Sequence, residues 1–103
     1  MAQRFIICTD GSENAPTAKE RDRITDLLMS KNLDVWHWFE DLWLVVDNRD
    51  EYNASGLRDE IQKCFTRQKK NVLVLQTETR NYSGYGPGAA WKWMKRKWDG
   101  NPL

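Results

Sequence analysis

Four short apolar runs and two helical patterns alternate along this chain in an order that leaves few folds open. The runs are Phe5-Ile6-Ile7-Cys8, Val35-Trp36-His37-Trp38-Phe39, Leu42-Trp43-Leu44-Val45-Val46 and Val72-Leu73-Val74-Leu75. Their β-branched and aromatic residues suit strands, and the first and last lack polar alternation, as expected of strands covered on both faces. Between the first two runs, residues 16–31 carry a thinly apolar helical pattern with Ile24, Leu27 and Leu28 on one seam. Between the third and fourth, residues 53–68 carry a cleaner one, opened by the N-cap residue Asn53 and carried by Ala54, Leu57, Ile61, Cys64 and Phe65. Only Glu40-Asp41 separates the second and third runs, so these form a hairpin.

Strand, helix, strand, strand, helix, strand, with right-handed crossovers, leads to an α+β, ferredoxin-like βαββαβ fold. Its four-stranded antiparallel sheet has the spatial order four-one-three-two, with both helices on one face. The length of 103 residues fits one core, assigned to residues 1–80. The opposite face of the sheet is also apolar on the first and fourth strands, and a monomer rarely leaves such a patch open. A second copy of the chain, related by a two-fold axis, is expected to cover it.

Residues 81–103 differ in character. Asn81-Tyr82-Ser83-Gly84-Tyr85-Gly86-Pro87-Gly88 lacks the Lys-Ser/Thr ending of a phosphate loop and reads as a flexible connector. A short helix over residues 89–98 follows, with Trp91, Met94 and Trp98 on one face. A tryptophan brings about 150–250 Å² of surface to bury, so this face is expected to dock on the body or on a partner. Lys92, Lys95, Arg96 and Lys97 against the single acid Asp99 make the same helix basic. Interleaved aromatic and basic residues stack bases and meet phosphates, which makes nucleic acid a candidate partner of these four cations.

Composition narrows the classes further. A net charge of +1 argues against a molecule that binds polyanions over its whole surface. No apolar run approaches the roughly 20 residues of a membrane span, and no signal-peptide pattern opens the chain; a cytoplasmic protein is expected, with no membrane partner. Cys8 and Cys64 lie in apolar patterns of different elements and read as reduced thiols. His37, the one histidine, sits between Trp36 and Trp38 and reads as a packed or dimer-facing residue. One histidine and two dispersed cysteines assemble neither a catalytic triad nor a zinc set.

Asp10 is the candidate site residue. Antiparallel order brings it to one edge of the sheet together with Glu40, Asp41, Lys69 and Lys70. Asp before Gly11 commonly caps a turn by accepting backbone N–H groups. The other reading is metal binding: carboxylate oxygens suit a hard divalent ion, Mg or Mn, which keeps several waters and needs only one or two carboxylates.

Thr9-Asp10, Trp36-His37-Trp38, Trp43-Leu44-Val45, Val72-Leu73-Val74-Leu75 and Ala90-Trp91-Lys92-Trp93, in this order over nearly the whole chain, resemble the small CRISPR-associated Cas-two family. The pattern is most similar to a group of short Cas-two-like bacterial proteins termed SinR-like. The resemblance implies a homodimer packed sheet to sheet, with Asp10 at the dimer axis. It implies either a scaffold or interaction protein that contacts nucleic acid, or, as the alternative, a metal-dependent endoribonuclease or endodeoxyribonuclease using paired Asp10. The scaffold is the leading expectation, and it requires no cofactor.

Overall fold

Strand β1 (Gln3–Thr9) lies at the centre of the molecule, paired antiparallel with β3 (Leu42–Asp47) on one side and β4 (Val72–Thr77) on the other. Strand β2 (Asp34–Phe39) adds beyond β3, giving the sheet order β2-β3-β1-β4. Read from the β4 edge this is four-one-three-two. These features come from a computed structural model, which describes residues 2–12, 14–66 and 68–100. The end of the C-terminal segment, 101–103, lies outside the described residues.

The α+β class expected from the sequence is the observed one. Helices α1 (Ala18–Ser30) and α2 (Ala54–Gln62) set Ile24, Leu28, Leu57 and Ile61 against Phe5, Ile7, Trp43 and Val45, all fully buried in one core. Phe5 and Ile7 alternate with Arg4, Ile6 and Cys8 along β1, so the latter belong to the opposite face. His37, read as packed or dimer-facing, is half-buried and packed on a core side chain. His37 stacks on Trp43 with ring centroids 4.3 Å apart, while the Trp43 indole N–H donates to Thr25 Oγ1 at 2.9 Å.

Helix α1 starts where a capping box dictates. The Glu20 N–H donates to Thr17 Oγ1, and the Thr17 N–H donates back to Glu20 Oε1 at 2.8 Å. It ends at Ser30 with Lys31 as its C-cap, and Asn32 follows with a φ of 60°, the left-handed conformation that asparagine tolerates after a helix. Helix α2 stops at Gln62, short of the 53–68 pattern, and the Lys63, Cys64 and Phe65 N–H groups donate three residues back, to the Glu60, Ile61 and Gln62 carbonyls. The Thr66 N–H donates to Glu20 Oε2 at 3.0 Å instead of continuing the helical ladder.

The C-terminal segment does what its apolar stripe implies and docks on the body, on the second face of the sheet. Helix α3 (Gly88–Trp93) continues into a π-helical turn (Met94–Trp98), closed by the Asp99 N–H donating to the Met94 carbonyl at 2.8 Å. Met94 and Trp98 are buried against Leu44 and Val46, with Ile6, Trp36, Trp38, Trp91 and Trp93 packed around them. The extra residue of the π turn sets the Trp93 and Trp98 rings 6.4 Å apart over the sheet. The tail thus covers the β2–β3 part of the second face from within the same chain.

Its end is fastened by polar contacts. The Trp98 indole donates to the Thr79 carbonyl at 3.0 Å, and the Tyr82 hydroxyl donates to Asp99 Oδ2 at 2.9 Å. The buried Arg4 guanidinium donates to the Trp98 carbonyl, meeting an orphan acceptor at the helix C-terminus. The connector is not free either. A Cβ on Gly86 would lie 2.9 Å from Trp38 Cζ2, and one on Gly84 would lie 3.7 Å from Trp91. The backbone of this stretch runs directly over tryptophan rings, at positions where glycine permits the approach.

Candidate interaction surface

With the tail in place, the β1–β4 part of the second face remains open. Leu73 and Leu75 of β4 are 54 % and 48 % exposed. Their cross-strand partners on β1 are Cys8 and Ile6, both half-buried. Within one chain β4 is covered on one face: Val72 and Val74 pack toward the helices, while Leu73 and Leu75 do not pack into a core. β4 is also an edge strand, and Val72-Leu73-Val74-Leu75-Gln76-Thr77 holds no charge, proline or glycine. Edge strands normally carry such residues to discourage pairing with other chains. Both cysteines are free thiols, and burial raises the pKa of each, so the strip presents Cys8 as a neutral group at pH 7.

Asp10 lies at one end of this strip. A shallow groove there is lined by Cys8, Thr9, Asp10, Asn71, Val72 and Leu73. The Ser12 N–H donates to Asp10 Oδ1 at 2.9 Å and the Asn71 side-chain amide donates to Oδ2 at 3.1 Å. Hydrogen bonds from Ser12, and then Asn71, hold the Asp10 carboxyl below the ordinary carboxylate range. Asp10 therefore organises its own turn, as aspartate before glycine does.

The charges expected beside it have other partners. Asp41 Oδ1 accepts from the Thr9 hydroxyl at 2.7 Å and from Arg21 Nε at 3.1 Å. Lys70 turns inward, 2.6 Å from Glu20 Oε1, while Glu40 and Lys69 are exposed. Among the described residues no group of three His, Cys, Asp or Glu side chains gathers as a metal site. Among the described residues the groove is lined by one carboxylate, Asp10, and a hard divalent ion that keeps its waters would take a second from a second copy. The donor set fits Mg or Mn only in that paired form.

Of the four tail cations, Lys92, Lys95 and Arg96 are exposed, whereas Lys97 lies 3.6 Å from Asp34 of β2 in an ion pair. The structure therefore separates the four into three solvent-facing groups and one that ties the tail to the sheet. Sequence reasoning missed Arg4, Glu20 and the Thr9–Asp41–Arg21 cluster. Only Glu20 carried a signal, the Thr-x-x-Glu of the capping box.

Among the described residues no helix is long and apolar enough to cross a membrane. No protein-family model matches the chain, and no match is found among curated proteins or solved structures.

Proposed function

We propose that this chain is a homodimeric interaction protein, a Cas-two-like scaffold, whose self-association surface is the open strip of β1 and β4. The observation that carries this reading is the exposure of Leu73 and Leu75 on an uncharged edge strand beside Ile6 and Cys8. Burial of apolar surface is worth about 25 cal/mol per Å², and the free strand edge adds unpaired backbone donors and acceptors to the gain. A second copy has the same strip and meets it isologously, which is how two-fold dimers form. Lys92, Lys95 and Arg96, exposed on the tail helix, are the groups that would meet nucleic-acid phosphates.

The endonuclease reading rests on one further observation, the closeness of Asp10 to the strip. A two-fold through the strip would carry a second Asp10 toward the first. When bound there, Mg or Mn would supply charge stabilisation at a phosphodiester. Asp10 of each copy would hold it, and Ser12 and Asn71 would fix the carboxylate's orientation.

The discriminating experiment incubates purified protein with labelled RNA and DNA in Mg²⁺, Mn²⁺ or EDTA, for the parent and for Asp10→Asn. The scaffold reading expects binding without cleavage, unchanged in the variant. Metal-dependent cleavage lost in Asp10→Asn establishes the endonuclease instead. Absence of binding to either nucleic acid removes it as a partner.

A further inference from the structure

A cleft of about 410 Å³ lies on the second face, between the floor of the sheet, the connector and the tail helix. Ile6, Leu42 and Leu44 form its floor. Trp38, Trp91 and Tyr82 form an aromatic wall: Trp91 meets Trp38 edge to face at 5.3 Å and stacks on Tyr82 at 6.4 Å with planes 8° apart. Such clusters are rigid, so the wall is preformed. Tyr85, fully exposed, stands at the mouth within the Gly84-Tyr85-Gly86 stretch.

The lining has one further property. None of its residues is Asp, Glu, Lys, Arg or His, although these charged types are 30 % of the chain without the histidine. An ion entering the cleft would shed water and find no opposite charge, a heavy penalty. A neutral ring system loses little water and gains dispersion and edge-to-face contacts along the wall. Neutral polar side chains lie on one side of the cleft, where Thr79, just before the connector, and Asn81 and Ser83 within it are exposed. The volume falls within the range of roughly 300–1,000 Å³ of ordinary small-molecule sites.

We infer that this cleft is a binding site for a neutral, planar aromatic small molecule carrying one or two hydrogen-bonding groups on one edge. The rings lie against Trp38 and Trp91, and the polar edge faces Asn81 and Ser83. This site adjoins the β1–β4 strip at Ile6, but Leu73 and Leu75, which carry the strip, do not line it.

The test uses two fluorescent probes with one ring skeleton, neutral N-phenyl-1-naphthylamine and its sulfonated counterpart 8-anilino-1-naphthalenesulfonate, titrated into the full chain. The expected result is saturable 1:1 binding of the neutral probe with quenching of tryptophan emission. The sulfonated probe should bind at least about tenfold more weakly. Leu42→Trp, which fills the floor, should weaken the neutral probe by about tenfold or more, and Ile6→Phe should do the same if the first variant fails to fold. Leu73→Asp, outside the cleft, should leave binding unchanged. Equal affinity for both probes overturns the inference. So does loss of binding in Leu73→Asp with retention in a folded floor variant, which would place the probe on the strip. Absence of saturable binding below about 100 µM overturns it as well.

Discussion

Lys70 Nζ lies 2.6 Å from Glu20 Oε1, joining residues fifty positions apart in a site where the glutamate is almost completely buried. The same carboxylate accepts the Thr17 and Thr66 N–H groups, and Lys70 also donates to the Ala15 carbonyl at 3.2 Å. The lysine thus ties the chain before β4 to the start of α1. A buried pair with this many hydrogen bonds is costly to break from one side.

Burial alone would raise the Glu20 pKa, but Lys70 and the two backbone donors outweigh it and bring the value down to about 2. The folded value lies below the unfolded one, so the contribution to stability is complete above about pH 4.5 and is lost as pH falls toward 2. Urea melts should therefore show stability falling steeply across that acid window. Glu20→Gln should lose about 3 kcal/mol at pH 7 and show a flatter acid limb. An unchanged acid limb in a folded variant would contradict this role.

Gly86 and Gly88 make a matched pair. Gly86→Ala puts a methyl 2.9 Å from Trp38 Cζ2, and displacing the connector should cost about 1–3 kcal/mol and alter near-ultraviolet dichroism. Gly88→Ala meets nothing within 4 Å and begins a helix, so it should be neutral or slightly stabilising in the same thermal melt.

The tail is an integral part of the core. Trp98→Ala removes a buried ring and the partner of the Thr79 carbonyl, and should cost about 3–5 kcal/mol in chemical denaturation. Lys97→Ala breaks one partly exposed ion pair and should cost less than about 1 kcal/mol. Equal effects of the two would show that the tail is not packed as described.

Much of this fold was legible because strand and helix periodicities survive in the sequence. The doubly apolar Phe5-Ile6-Ile7-Cys8 and the Trp91, Met94, Trp98 stripe both pointed to cover on a second surface. Periodicity reports apolarity, however, and not what lies against it. Leu44 and Leu73 read alike in sequence, yet one is buried under the tail and the other is open. The end of α2 falls short of its apolar pattern because residues 63–65 tighten into turns bonded three residues back, after which Glu20, far away in sequence, takes the Thr66 N–H. At the candidate site, the turn-capping role of Asp10 follows from local chemistry. The diversion of Asp41 to Arg21 and of Lys70 to Glu20 depends on helices packed from elsewhere.

If nucleic acid binds the tail helix, the three exposed cations should carry it and Lys97 should not. Charge reversal at Lys92, Lys95 and Arg96 together should abolish binding in low salt, with a correspondingly smaller salt dependence for each single change. Fluorescence anisotropy with a labelled oligonucleotide reads both. Binding that survives the triple variant would move the contact elsewhere.

The central claim is that a second copy covers Leu73 and Leu75. Sedimentation equilibrium on the full chain, in the micromolar range, tests it most directly. The account predicts twice the 12.2 kDa chain mass, and a folded monomer for Leu73→Asp combined with Leu75→Lys. A parent protein that sediments as a 12.2 kDa monomer throughout that range would contradict it.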